Sequence, residues 1–177
     1  DYAMISLAVY LGLRAGDIVN LEFSNIDWEN NLIKLTMSKT SKEIILPLLP
    51  EVGNALLDYI KNSRRKCDLK HVFVSANGAY SKIKSSTLYY RIKYYINLSK
   101  IDIKNRKCGP HALRHSLATR MLKQGQPLPI ISETLGHSDT QITTIYTSID
   151  YDSLKHCALD VLPIKSNAYI SGGEYDS

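Results

Sequence analysis

The sequence predicts a mainly α-helical fold with one small three-stranded antiparallel sheet, an α+β arrangement. Three observations predict it. Apolar residues recur at helical spacing in both halves of the chain, as Ala3, Met4, Leu7, Ala8 and Leu11, and again as Leu113, Leu117, Ala118, Met121 and Leu122. Between residues 26 and 48 the pattern changes to short extended runs separated by polar turns. Glycine and proline punctuate the helical stretches, at Gly12, Pro50, Pro110, Gly125 and Gly136.

Taken in order, Asp1 to Leu13 reads as an apolar helix ending near Gly12, with Arg14 just past it at the lip of the core. Ile18, Leu21 and Phe23 suggest a further helical turn or a bridging segment. Ile26-Asp27-Trp28 reads as a first strand, Glu29-Asn30-Asn31 as a turn, and Leu32, Ile33 and Leu35 as a second strand. Ser38 to Lys42 is a polar hairpin tip exposing Lys39, and Glu43 to Leu48 is the third strand. Pro50 to Lys66 reads as a helix with Arg64-Arg65-Lys66 at its C-terminal end. Thr87 to Ser99 is another, capped by Ser85 or Ser86, with half of its tyrosines expected in the core. Pro110 opens a helix running to Gln124, and Pro127 to Leu135 is the next, stopped by Gly136. A short helix capped by Ser138 or Asp139 carries Tyr146, Ser153 to Leu162 is a last helix, and residues 165–177 read as a disordered tail.

A chain of 177 residues is long enough for one domain with a sizeable core. Apolar content of 44% and charged content of 22% are ordinary for a globular protein, and no apolar run reaches the length of a membrane span. No basic leader region precedes an apolar run at the start, and no membrane partner is expected. Asp1-Tyr2-Ala3-Met4 reads as the middle of a helix, so the sequence is expected to be cut from a longer chain. Three widely spaced cysteines, Cys67, Cys108 and Cys157, suit free thiols in a reducing, cytoplasmic setting.

Net charge is +5, and its distribution says more than its size. Residues 60–107 hold thirteen lysines and arginines against two acids, whereas residues 147–177 hold five acids against two lysines. A basic middle predicts a surface that faces a polyanion, although a solvated lysine-rich face gives the same pattern. The helix after Ser86 interleaves tyrosines with Arg91 and Lys93, a mixture that suits phosphate contacts as well as an amphipathic core helix.

Chemistry concentrates between Gly109 and Tyr146. His111 and Arg114 are three apart on a helix and share a face. A guanidinium there can grip two phosphate oxygens, and a histidine beside it can donate to them or move a proton. The competing reading is a zinc site made of His111, His115 and His137. It lacks a nearby cysteine pair, an HExxH glutamate and a carboxylate at a matching offset, so neither a metal nor a cofactor is expected.

The stretches GPHALRHSLAT and LGHSDTQITTIYT resemble the active-site boxes of the tyrosine recombinases, the phage-integrase-like site-specific DNA recombinases. YLGLRAGDIVNL resembles that family's first arginine box, and LTMSKTSKEIILPL its β-hairpin lysine segment. Four motifs in the right order span Tyr10 to Tyr146. The resemblance implies the recombinase catalytic-domain fold over residues 1–163, with the family's N-terminal DNA-clamping domain absent from this sequence. It implies that Tyr146 is the nucleophile, that Arg14 and Arg114 hold the scissile phosphate, and that His111 and His137 donate hydrogen bonds or move protons. Lys39 becomes the general acid for the leaving 5′-oxygen, Asp17 an accessory acid that orients the site, and His115 a packing residue.

That set suits a phosphodiester. Attack adds negative charge to oxygens that are already anionic, and fixed positive charge there is the largest single catalytic contribution. The implied partners are double-stranded DNA and further recombinase protomers in a tetrameric synapse, with helix 152–162 docking on a neighbour or back on its own chain. The basic candidates for DNA contact are Lys82, Lys84, Arg91, Lys93, Arg106 and Lys107. The SKTSK hairpin departs from the GKGxK form of chromosome-dimer resolvases and points towards a mobile-element integrase. Two alternatives stay open: a type IB topoisomerase-like nicking-closing enzyme, and a non-enzymatic DNA-binding protein with a decayed site.

Overall fold

The structure is a computed structural model and describes residues 1–75, 81–104, 106 and 108–136. Helix α1 (Tyr2–Tyr10) buries Ala3, Met4, Leu7 and Ala8, with Leu11 directly behind them. The chain turns at Gly12, whose φ of +61° is left-handed and costs a residue with a Cβ about 1–2 kcal/mol. Arg14 caps the short helix α2 (Ala15–Val19), which buries Asp17, Ile18 and Val19.

Strands β1 (Ile26–Asp27), β2 (Leu32–Thr36) and β3 (Glu43–Pro47) pair antiparallel in the order β1-β2-β3. The register sets Ile33 opposite Leu46 and Leu35 opposite Ile44, so these four share the face that enters the core. Lys34 points the other way and pairs with Asp27 at 2.9 Å. Trp28, predicted to extend β1, lies beyond the strand and is exposed.

Helix α3 (Pro50–Asp58) continues into one wide π-helical turn, Tyr59–Ser63, and stops there rather than at Lys66. The reason is Arg64. Its backbone is extended, and its guanidinium donates to the carbonyls of Val72 (3.0 Å), Leu69 (2.7 Å) and His71 (3.0 Å) while lying over the Phe23 ring. Those carbonyls would otherwise lack partners, so Arg64 serves the following segment instead of the helix end.

Helix α4 (Ser85–Leu98) begins at Ser85, with Lys84 in the cap position and no side-chain cap, so neither serine plays the predicted role. Its tyrosines also depart from expectation. Leu88 and Ile92 are buried, while Tyr89, Tyr90, Tyr94 and Tyr95 are all exposed. Each residue step turns an α-helix by about 100°, so an inward stripe at 88 and 92 rotates positions 89, 90 and 94 off the core, while Tyr95 lies on the Leu88 side near the helix end and donates its hydroxyl to Asp1 Oδ2 at 3.2 Å. The rings pack instead as edge-to-face pairs, Tyr89 with Tyr90 and Tyr94 with Tyr95.

Helices α5 (Pro110–Lys123) and α6 (Leu128–Thr134) close the described chain. Gly125 and Gly136 both take positive φ after these helices, as their positions predict. Leu117 and Met121 are buried with Ile131 and Leu135, but Leu122 is 54% exposed, one residue step off the inward stripe. These four form a small cluster of their own, separate from the large core of α1, α2, the sheet, α3 and α4. No helix among the described residues is long and apolar enough to cross a membrane. The Tyr146 helix, the helix over 153–162 and the tail lie outside the described residues.

Candidate active site

The two clusters meet at Gly12. A Cβ there would lie 2.8 Å from Leu135 Cδ2 and 2.9 Å from Leu117 Cδ2, so the absence of a side chain lets α5 and α6 press against the end of α1. Arg114 crosses the same junction. It is 4% exposed; its Nη1 donates to Gly12 O at 2.7 Å and its Nη2 donates to Leu135 O. A guanidinium has five N–H groups, so these two bonds leave three uncommitted, and Arg114 also lines the cleft it shares with Arg14, Lys39 and His111. Burial, and then the like charge of Arg14, push Arg114 down to about 10, with Asp17 acting in the opposite sense. It remains a cation at neutral pH.

Arg14 stands half-buried beside it. Its Nη1 donates to Met37 Sδ at 3.3 Å and its Nη2 to Gly136 O at 3.4 Å. Lys39 comes from the hairpin between β2 and β3. That hairpin is closed by Met37 N–H donating to Lys42 O at 2.8 Å and Ser41 N–H donating to Met37 O at 2.9 Å. Asp17, 4% exposed, fixes it from below: Oδ1 accepts from both the backbone N–H (2.8 Å) and the hydroxyl (2.7 Å) of Ser38, the residue before Lys39. Asp17 Oδ2 is buried and has no hydrogen-bond partner among the described residues.

His111, one turn before Arg114, is held below the usual histidine range. Desolvation is the main cause, followed by the positive surroundings of His115, Arg114, Lys39 and Arg14. It is therefore neutral at pH 7, with one ring nitrogen donating and the other accepting. Its ring meets the exposed His115 edge-to-face at 5.1 Å. Arg14, Lys39, His111 and Arg114 together line a cleft of about 280 Å³. An adjoining cleft of about 330 Å³ shares Arg14, His111 and Arg114 and extends to Ser85, Ser86 and Tyr89 on α4. Residues from four separate segments thus surround one concave, strongly cationic space that suits an anion.

Residues 1–153 match the phage integrase family. The chain belongs to that family. A Sinorhizobium fredii protein carrying the name integrase/recombinase y4gC is 33% identical over 161 residues, covering 91% of this chain and 82% of that protein. Tyrosine recombinase XerD of Proteus mirabilis is 34% identical over 161 residues, covering 88% of this chain and 49% of its own length. The crystal structure of XerA recombinase matches with a TM-score of 0.65 at 30% identity, over 87% of this chain and 55% of that one. The integrase from mycobacterium phage Brujita matches with a TM-score of 0.66 over 93% of this chain and 54% of its own; at 21% identity this speaks to the fold alone. Apart from y4gC, the chain spans about half or less of these relatives, and 37% and 38% of two further Sinorhizobium fredii integrase/recombinase proteins.

Within this family member, the described structure brings together four of the six residues expected at the reacting phosphate. His137 and Tyr146 lie outside the described residues, as does Lys107. Of the other basic candidates, Lys82, Lys84 and Arg91 line a separate cleft of about 500 Å³ on the opposite side of α4, together with Arg65. Arg91 there pairs with Asp1 at 3.4 Å. Lys93 and Arg106 are exposed. Among the described residues no group of three or more histidines, cysteines or acids could hold a metal ion.

Sequence reasoning missed several residues of the site. Met37 continues the inward alternation of Ile33 and Leu35 and looks like one more core residue. Ser38 looks like hairpin polarity. Glu133 is 4% exposed on α6, burial raises its carboxyl, and the charge of Lys42 on the hairpin opposes that shift. No spacing in the sequence links positions 42 and 133. Tyr89 is one of the interleaved tyrosines of α4, and a Cβ on Gly109 would fall 2.7 Å from its ring Cδ2.

Proposed function

We propose that this protein is a site-specific DNA recombinase, of a mobile element, that cuts and rejoins double-stranded DNA through a covalent 3′-phosphotyrosine. The observation that carries this reading is the convergence of Arg14, Lys39, His111 and Arg114 on one cleft in a member of the phage integrase family. The names of its relatives, integrase/recombinase and tyrosine recombinase, support it. So do the basic residues that line the neighbouring cleft behind α4.

In this mechanism the Tyr146 oxygen attacks the scissile phosphorus as its hydroxyl proton passes to His137. The P–O5′ bond breaks, and Lys39 protonates the leaving 5′-oxygen; delivery of that proton contributes on the order of 10²–10⁴ in rate. Arg14 and Arg114 face the non-bridging oxygens where charge develops, and neutral His111 donates a hydrogen bond beside them. His137 adds a second histidine. Asp17 acts at a distance by holding Ser38 and with it the lysine hairpin. The energy of the broken bond is kept in the phosphotyrosine, so a 5′-hydroxyl from either strand can attack it and reseal the DNA. Residues 1–163 form the catalytic domain of a longer enzyme, and protomers assemble as tetramers on paired DNA sites.

The test begins without a known target. A pool of nicked duplexes of random sequence, in which the cut 5′ fragment diffuses away, should yield duplexes that become covalently attached to the wild-type protein. Tyr146→Phe should bind the recovered duplexes and form no adduct. An adduct with the Phe variant sinks the assignment. Lys39→Ala should be slow on ordinary DNA and recover on a 5′-bridging phosphorothiolate, which leaves without a proton. Relaxation of supercoiled plasmid regardless of sequence, with no duplex enriched, would favour a nicking-closing enzyme instead.

A further inference from the structure

We propose that Met37 is a positioning residue for Arg14, its thioether sulfur orienting the guanidinium at the wall of the cleft. This rests on the phosphodiester reading above, in which Arg14 faces the scissile phosphate. Met37 is 1% exposed and stands where β2 runs into the hairpin. Its backbone makes both bonds that close that hairpin. Its sulfur faces two partners. On one side Arg14 Nη1 donates to Sδ at 3.3 Å. On the other, Gly136 sits at φ +59°, and a Cβ there would fall 1.9 Å from Sδ. The sulfur thus fills the hollow left by the missing side chain, and the Gly136 carbonyl accepts from Arg14 Nη2 at 3.4 Å. Two acceptors from adjoining segments, one from the hairpin and one from the end of α6, hold the two ends of a single guanidinium.

The chemistry of the acceptor matters. A thioether is neutral and a weak acceptor, so it can orient the arginine without cancelling its charge. A carboxylate in that place would satisfy the guanidinium and compete with phosphate. The sulfur contact yields easily to the stronger, charge-assisted bond that Arg14 donates to a phosphate oxygen. Because Met37 also closes the hairpin, the lysine-bearing loop and Arg14 share one anchor. Displacing the hairpin displaces the support of the arginine.

Met37→Leu removes the acceptor while nearly conserving volume, a class of change that cores tolerate well. On a nicked duplex recovered from the random pool, adduct formation should fall about tenfold, the scale of a misplaced positioning group, with DNA affinity unchanged. With a methylphosphonate at the scissile linkage, one anionic oxygen becomes a methyl group and Arg14 has less to grip. There the loss should shrink to within about twofold, and Met37→Leu should add no further loss in an Arg14→Ala background. Equal loss on both duplexes, or full additivity with Arg14→Ala, overturns the proposal, because packing damage ignores the charge on the linkage. A second arm needs no cleavage. Nitrogen-15 NMR of the full chain without DNA should show slowed rotation of the Arg14 Nη groups in wild type and faster rotation in Met37→Leu. If no duplex is ever attached, the reading of function falls; identical Arg14 rotation in the two proteins overturns this inference on its own.

Discussion

Two regions of the molecule share one site but are built differently. The first, α1 to α4 with the sheet, has a large core including Leu7, Ile18, Ile33, Leu46 and Leu56, all essentially without solvent exposure. The second, α5 and α6, has a cluster of four buried apolar residues. Full burial of one such side chain contributes about 1.5–3 kcal/mol, so among the described residues the second region has far less apolar burial than the first. It borrows rigidity at the junction, through Gly12 against Leu117 and Leu135, and through Arg114 bridging Gly12 O and Leu135 O. Arg14 and Lys39 belong to the well-supported region; His111 and Arg114 belong to the dependent one. The buried charge of Arg114 is therefore part of what joins the halves.

The comparison can be broken most severely at the junction. Gly12→Ala adds left-handed strain of about 1–2 kcal/mol and overpacking of about 1–3 kcal/mol. Urea unfolding should show that loss, and hydrogen exchange should place it in α5 and α6 before α1; uniform exchange would mean that the two regions are one cooperative unit. Asp17→Ala should act less on stability than on chemistry. It removes the one oxygen that accepts both Ser38 bonds, leaves α5 in place, and should slow adduct formation about tenfold or more through a loosened Lys39. A bridging phosphorothiolate should restore most of that rate, and a failure to do so would assign Asp17 to the arginines instead.

The smallest expected effect concerns His111, which reports contact between the regions. Lys39→Ala removes one of the charges that depress it, so its NMR titration should move upward, towards 6.5. Because its folded pKa is lowered, the unfolded chain binds more protons in the interval between the two values. Stability from this group is full above the unfolded value of about 6.5 and falls as pH drops through the window beneath it. Lys39→Ala should make that fall shallower. An unmoved titration would mean that the hairpin lysine does not reach the α5 cleft.

Legibility in the sequence followed the same division. Periodicity found α1, α3 to α6 and all three strands, because Leu7, Ile33 or Leu117 must face inward for its element to form, and left the short α2 open between a helical turn and a bridging segment. It failed where a helix has a narrow buried stripe, as with the exposed tyrosines of α4, and where a side chain serves remote carbonyls, as with Arg64. The four basic residues that line the candidate cleft were legible because they sit in motifs. Their supports were not, since Met37 against Gly136, Asp17 on Ser38 and Glu133 near Lys42 are long-range pairings that no local pattern encodes.

Convergence of one arginine from each region on a single phosphate is the claim on which everything else depends. It is tested most directly by measuring adduct formation by wild type, Arg14→Ala and Arg114→Ala on a selected duplex, with phosphate or methylphosphonate at the scissile linkage. Both variants should be strongly impaired on phosphate, and both should recover much of the rate when the linkage is neutral. Recovery of only one, or of neither, would contradict the account and separate the two regions in function as well as in packing.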